Sequence, residues 1–246
     1  MLGWWCWLLR ALRFCSIVLF VLAVPVALIT TNVRFAVNQP RVYRYAIDDF
    51  GAVRATGIDR DQLLRASGEL RDYFNSSDER LAIQVQVNGR DQSLFNPRET
   101  AHLADVKDRF QLVNRAQELS FVYILVFIAA AVVWARAFSA RSLAVYVAAG
   151  CAICIAVIAA IGLLGLAGFD SAWEDFHLLI FSNDFWRLNP ATDHLIQMFP
   201  LAFWESIVFI LGLMIAGEAA LVLLASGLYL GASKRAQARR LQADYA

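Results

Sequence analysis

The chain has 246 residues, 59% of them apolar, and a net charge of only +1. Its mean hydropathy of +0.53 is far from that of a soluble domain of this size, so insertion in a membrane is the first reading. The four cysteines do not supply a disulfide framework, because none falls in a polar segment.

In chain order, four stretches are long and apolar enough to cross a hydrocarbon core: about 14–31, 121–135, 143–168 and 201–231. The second is short and is extended by Leu119 and the amphipathic residues before it. The basic residues orient them. Arg10 and Arg13 precede the first span, Arg136 and Arg141 fill the loop after the second, and Lys234, Arg235, Arg239 and Arg240 follow the last. With four spans, all eight fall on one side against the single acid Asp244, while fourteen basic and nineteen acidic residues fall on the other. Both termini are therefore expected in the cytoplasm, with residues 32–118 and 169–200 outside. The first span, which follows two arginines, could be a cleaved signal peptide, but no clear small-x-small site follows it and it reads as an uncleaved anchor.

The fold class expected is thus membrane α-helical: four transmembrane helices with a small α+β extracytoplasmic cap. Residues 1–31 form the cytoplasmic N-terminus and first helix, 32–118 the cap, and 119–246 the remaining helices with an aromatic outer loop at 169–200 and a basic cytoplasmic tail. Within the cap, residues 59–75 place Leu63, Leu64, Leu70 and Phe74 near helical spacing. Residues 81–87 alternate as a strand, Asn88-Gly89 supplies a tight turn, and 90–95 return as its partner. Asn96-Pro97-Arg98-Glu99 is a helix start, with an Asn N-cap, Pro at the first helical position and an acid three residues after the cap. A helix over 97–109 sets Arg98, His102, Asp105 and Arg109 along one face.

The third span carries Cys151-x-x-Cys154, a redox or zinc pair by spacing alone; among Ala, Ile and Val it reads as small residues packing between helices. In the outer loop, Asp170 can cap a short helix with Trp173, Phe176, His177 and Ile180 on one side, resting at the headgroup level. The stretch SNDFWRLNP reads as a turn before a short amphipathic piece at 193–199, capped by Asp193, and Pro200 starts the last span. No Walker loop, dinucleotide loop or nucleophile elbow is present.

The three histidines, His102, His177 and His194, all lie in the outer segments and restrict acid–base chemistry near neutral pH. His102 and His177 come from different segments on one side of the membrane, so they can meet. Residue types alone leave three readings open: general acid–base catalysis, a metal site, or interfacial packing. No H-x-x-x-H or H-E-x-x-H spacing supports a metal, and neither a metal nor a cofactor is expected.

FNPRETAHLADVK, residues 95–107, and FHLLIFSNDFWRLNPATDHLIQMFPLAFW, residues 176–204, resemble the two signature segments of the bacterial lipoprotein intramolecular transacylase (Lit) family. The order of parts is similar too: one span, a cap, then three spans with the second motif between the last two. The resemblance implies an acyltransferase of the cytoplasmic membrane. Its substrates are lipoproteins bearing a diacylglyceryl thioether on the N-terminal Cys. It moves the sn-2 acyl chain to the α-amine of the same Cys, giving the lyso form. The two family histidines carry over to His102 and His177 as catalytic residues. Attack of the amine on its own ester closes a medium ring, so the enzyme's help lies in holding the ends together. One base must take the amine proton and one acid must protonate the departing alkoxide. The substrate brings its own nucleophile, so an acyl-enzyme on an outer serine is the weaker mechanism.

Other residues of the two motifs each carry two readings. Asp105 orients His102 or pairs with Arg98 or Arg109. Asn183 and Asp184 position a headgroup or a histidine, or simply form a turn. Arg98, Glu99 and Lys107 are structural, tying the cap to the second motif by salt bridges. Phe176, Trp186, Phe199 and Trp204 line a pocket for acyl chains or anchor the protein at the interface. His194 has no place in the family pattern. Glu218, inside the last span, is a functional candidate without a role. The tail at 234–240 is a topology signal that contacts anionic lipids, and no nucleic-acid partner is expected. No feature of the sequence specifies an oligomer. Two competing functions remain: a non-enzymatic membrane protein whose cap binds an envelope partner, and a related lipid acyltransferase or hydrolase.

Overall fold

The computed structural model describes residues 2–87, 89–133 and 139–244, and their side chains except those of 2–6, 240, 241, 243 and 244. Asn88 of the expected turn, Arg136, and residues 134–135 at the end of the second expected span lie outside the described residues. So do the side chains of Cys6, Arg240 and Asp244.

The elements are α1 (Leu2–Asn38), α2 (Pro40–Asp49), α3 (Ala52–Thr56), α4 (Arg60–Asn75), β1 (Gln84–Val87), β2 (Arg90–Ser93), α5 (Pro97–Val133), α6 (Ala140–Ile180), α7 (His194–Met198) and α8 (Leu201–Asp244). Among them α1, α5, α6 and α8 are long and apolar enough to cross a membrane. Each outruns the bilayer: α5, with 37 residues, is about 55 Å long against a hydrocarbon core of about 30 Å. Its first half is charged, and only from Leu119 to Val133 is it free of Asp, Glu, Lys, Arg and His. The helix expected over 97–109 and the second span are therefore one continuous helix. In α6 the charge-free run ends near Gly168, where the backbone leaves helical geometry (φ 163, ψ 96). Residues 169–180 continue beyond that kink as the short helix expected in the outer loop, with Asp170 in its first turn and making no described capping bond.

Two compact units emerge. One comprises Met1–Asn32, Arg115–Ala160 and Leu213–Ala246. At its centre Phe20 stacks on Phe127, ring centroids 4.4 Å apart, and Cys151 and Cys154 are fully buried with Val24, Ile215 and Ala219. The cysteine pair is a packing feature, as its apolar setting implied. A Cβ on Gly150 would stand 2.7 Å from Val24 Cβ and 2.8 Å from the Val21 carbonyl, so only glycine lets α6 approach α1 this closely. Glu218 has a partner here: the Asn32 side-chain amide donates to its carboxylate at 2.8 Å.

The other unit comprises Val33–Asn114 and Ile161–Gly212. Ile47, Ile58, Leu63, Val85, Leu94 and Met198 are fully buried in its core. The expected amphipathic helix is α4; its N-cap Asp59 accepts from the Asp61 amide at 3.0 Å, and Leu63, Leu70 and Phe74 point inward. The hairpin is shorter than the alternation suggested. Its register runs from Gln84↔Ser93 to Val87↔Arg90, and Gly89 takes the positive φ of 76° that the two-residue turn needs. Residues 81–83 and 94–95 lie outside the strands, and among the described residues the Leu94 amide links them by donating to the Ile83 carbonyl. Helices α2 and α3 were not anticipated, although Pro40 occupies the first turn of α2, the position proline favours.

Candidate active site

The first turn of α5 is built as its sequence dictates. Asn96 Oδ1 accepts from the amides of Arg98 at 2.9 Å and Glu99 at 3.0 Å, and Glu99 Oε2 accepts from the Asn96 amide at 2.7 Å. This is a reciprocal capping box. Glu99 is fully buried, and its second oxygen accepts from the Leu195 amide at 2.6 Å. One carboxylate thus caps α5 and also α7, whose own N-cap, Asp193, makes no capping bond. The expected capping by Asp193 is corrected: its carboxylate accepts from Asn96 Nδ2 at 3.0 Å, Thr192 Oγ1 at 2.9 Å and the Asn189 amide at 2.7 Å. Burial pushes the Glu99 carboxyl up from its ordinary range, and the two backbone donors oppose that shift.

One turn beyond Glu99, His102 meets His177, which lies past the α6 kink. The ring centroids are 6.1 Å apart, and both side chains are buried, at 8% and 7% exposure. Trp173, Phe176, Phe181 and Trp186 surround His177 at 4.7, 5.4, 5.6 and 4.9 Å. Phe181 also meets His102 at 5.1 Å. His177 Nδ1 lies 2.7 Å from the Trp173 carbonyl. A carbonyl only accepts, so Nδ1 carries the proton and Nε2 of the neutral ring holds a free lone pair. His102 Nδ1 is buried without a hydrogen-bond partner.

Burial, with the neighbouring His177 adding to it and Asp105 opposing it, lowers the His102 pKa to about 4. Burial also lowers that of His177, against the hydrogen bond to Trp173. Both rings are neutral at pH 7, the form that can take or give a proton. Because the folded His102 resists charging, the native protein binds fewer protons than the unfolded chain between about pH 6.5 and 4. Acidification through that window therefore costs stability. In a histidine-labelled sample in micelles, the His102 resonance should titrate well below pH 6; a midpoint near 6.5 would contradict this burial.

The turn after His177 is held against α5 on both sides of His102. Arg98, four residues before, donates to the Asp184 carbonyl. Asp105, three residues after, accepts from Asn183 Nδ2 at 2.8 Å. Asp105 therefore neither orients His102 by a hydrogen bond nor pairs with Arg98 or Arg109 among the described contacts. Asn183 forms the turn considered for it, its Oδ1 accepting from the Phe185 amide. The Asp184 carboxylate faces Arg187 at 3.5 Å. Arg98 and Glu99 reach the second motif through backbone groups, not salt bridges. Lys107 does not reach it: its ammonium bonds the Asp78 carbonyl at 2.5 Å and lies 4.0 Å from the Tyr73 ring centroid.

The aromatic candidates divide. Phe176 and Trp186 touch His177, and Trp204 stacks on Trp173 at 5.1 Å. Phe199, only 6% exposed, packs with Tyr43 and Phe203 in the apolar core. His194 Nδ1 donates to the Leu94 carbonyl, 2.6 Å away. It borders an open groove of about 550 Å³ with Gln92, Asn96 and Thr100, and no described contact joins it to the histidine pair. The double role of Glu99 was missed, because only its capping half is written in local sequence.

Known proteins bear on this site. No curated protein sequence matches the chain. Among solved structures, the membrane integral lipoprotein intramolecular transacylase Lit from Bacillus cereus superposes with a TM-score of 0.75 at 18% identity, over 92% of this chain and 99% of that one. A variant of that protein with one histidine changed to arginine gives 0.73 at 17% identity, over 94% and 97%. A variant with histidine changed to alanine gives 0.72 at 17%, over 94% and 98%. At these identities the likeness establishes the shared fold, a multi-pass helical membrane protein. The sequence profile of the family described as lipoprotein intramolecular transacylase Lit matches residues 18–204, a span that holds both histidine motifs, and the chain belongs to that family of membrane transferases.

Proposed function

We propose that this protein moves the sn-2 acyl chain of an S-diacylglyceryl cysteine, at the N-terminus of a lipoprotein, onto the α-amine of that same cysteine. The observation that carries the reading is the buried meeting of His102 and His177 at 6.1 Å within a ring of aromatic side chains. No external nucleophile is required, and two neutral imidazoles meet the proton inventory of the reaction. The hydrogen bond from His177 Nδ1 to the Trp173 carbonyl leaves Nε2 free to accept, which favours His177 as the base for the amine and His102 as the acid for the departing glyceryl alkoxide. Aromatic walls keep water from an ester that would otherwise hydrolyse. Purified protein incubated with a synthetic diacylglyceryl lipopeptide should abolish the reaction of its α-amine with amine reagents. An amine that stays reactive contradicts the reading, and release of free fatty acid marks a hydrolase instead.

The same reading sets residues 32–118 as an outward cap with the loop 169–200 beside it. Both termini are in the cytoplasm, and the tail 234–240 lies against anionic lipid. What supports it is the charge bias, since every segment assigned to the cytoplasm is basic. A cysteine replacing Gln92 should react with an impermeant thiol reagent in intact spheroplasts, and one replacing Ala238 should react only after lysis. Equal labelling at the two sites would overturn this orientation.

A further inference from the structure

Transfer of an acyl group from oxygen to nitrogen passes through a tetrahedral intermediate whose former carbonyl oxygen bears a full negative charge. A donor fixed in advance at that oxygen is among the largest contributions an active site can make. The Nδ1 proton of His177 is already engaged by the Trp173 carbonyl, so it cannot serve. Trp186 can. Its indole nitrogen is buried and has no hydrogen-bond partner, and an indole N–H only donates. Buried donors are nearly always satisfied, and an orphan next to reacting groups calls for an explanation. The ring lies 4.9 Å from His177 and tilts 33° to it.

The position of Trp186 is held from outside the site. The Arg187 guanidinium lies over the indole at 4.4 Å. Arg187 is itself held by Glu174 at 3.0 Å and by Asp184 at 3.5 Å. Glu174 precedes His177 by three residues on α6, so the chain from Glu174 through Arg187 to Trp186 returns to the helix that carries His177.

We propose that the Trp186 indole N–H is the oxyanion donor of the transacylation, a residue in contact with the reacting atoms; this rests on the reaction assigned above. The lone pair of the α-amine forms the bond to the ester carbonyl carbon, and the π pair moves to the carbonyl oxygen, which accepts from Trp186 Nε1. His177 takes the amine proton. The oxyanion then reforms the carbonyl, the bond to the sn-2 oxygen breaks, and that alkoxide takes a proton from His102. The proton held by His177 passes to His102, so both imidazoles end neutral. One proton leaves nitrogen and one arrives at oxygen, so the overall composition is unchanged.

Trp186→Phe keeps an aromatic ring at this position and removes the N–H together with part of the indole. On the synthetic diacylglyceryl lipopeptide its kcat should fall about 10²–10³-fold, with KM little changed; a kcat near that of the unsubstituted protein would overturn the proposal. A second measurement does not depend on the variant's turnover. With indole-15N tryptophan in the wild-type protein, the Trp186 signal, identified by its absence in Trp186→Phe, should move downfield on binding an analogue whose sn-2 ester is a ketone. It should stay in place with the ether analogue, which lacks the carbonyl. Binding of the ketone without that shift also overturns the proposal. Wild-type protein that leaves the α-amine free removes the underlying reaction and this role with it. An active wild type with an unaffected Trp186→Phe removes this role alone.

Discussion

Alanine at either His102 or His177 should lower kcat/KM on a diacylglyceryl lipopeptide by about 10²–10⁴-fold, the usual contribution of one positioned acid or base. Each ring is buried and held neutral by its surroundings, so neither bulk water nor buffer can replace it freely in the pocket. The two act on one proton inventory, and the double variant should therefore lose far less than the product of the single losses. His194→Ala is the internal control. That imidazole bonds the Leu94 carbonyl on another part of the unit, and the variant should turn over near the wild-type rate. Unchanged turnover in both His102→Ala and His177→Ala, with thermal unfolding confirming a folded protein, would remove the two-histidine mechanism.

Glu99→Ala should be the most damaging substitution outside the histidine pair. This carboxylate is fully buried without a cationic partner, an expensive arrangement unless hydrogen bonds compensate. Here the compensation is the Asn96 amide at 2.7 Å, the Leu195 amide at 2.6 Å and the positive end of the α5 dipole. Alanine deletes both bonds and leaves two amide donors unsatisfied, a loss of about 3–5 kcal/mol. The midpoint of thermal unfolding in detergent should drop by many degrees. Glu99→Gln, which keeps the shape but can accept with one oxygen only, should fall between the two. A Glu99→Ala midpoint equal to wild type would show that the link between α5 and α7 contributes little.

What could be read in advance was what local chemistry fixes. Asn96, Pro97 and Glu99 specify a helix start from within four residues, and the structure contains that capping box. The apolar spacing of Leu63, Leu70 and Phe74 specified α4 for the same reason. Readings failed where a partner distant in sequence outcompeted a near one. Asp193 stands at an N-cap, but Asn96, ninety-seven residues away, draws one carboxylate oxygen while the Asn189 amide takes the other. Lys107 turns to the Asp78 carbonyl rather than to the second motif. Asp105 is taken by Asn183, and the Phe199 ring by the apolar core. Helix α2 was obscured because its apolar residues Val42, Tyr43, Ala46 and Ile47 share ten positions with four charged ones, Arg41, Arg44, Asp48 and Asp49. At the site, residue types alone left catalysis, metal binding and packing all open for His102 and His177. The family resemblance joined the two residues, and the geometry adds what no sequence carries: the tautomer of His177 and the unpartnered indole of Trp186.

In an intramolecular transfer the acyl chain stays within one substrate molecule, which a crossover experiment can read. Two lipopeptides are mixed in equal amounts, one with light acyl chains on a light peptide and one with heavy acyl chains on a heavy peptide. Purified protein is added, and the products are read by tandem fragmentation at the N-terminal cysteine. Total mass does not change in this reaction, so only fragmentation locates the chain on the amine. Every N-acyl group should match the isotopic label of its own peptide. Light acyl groups on heavy peptides, at the statistical proportion, would mean that the chain passes through an enzyme-bound or free intermediate, and would contradict intramolecular transfer.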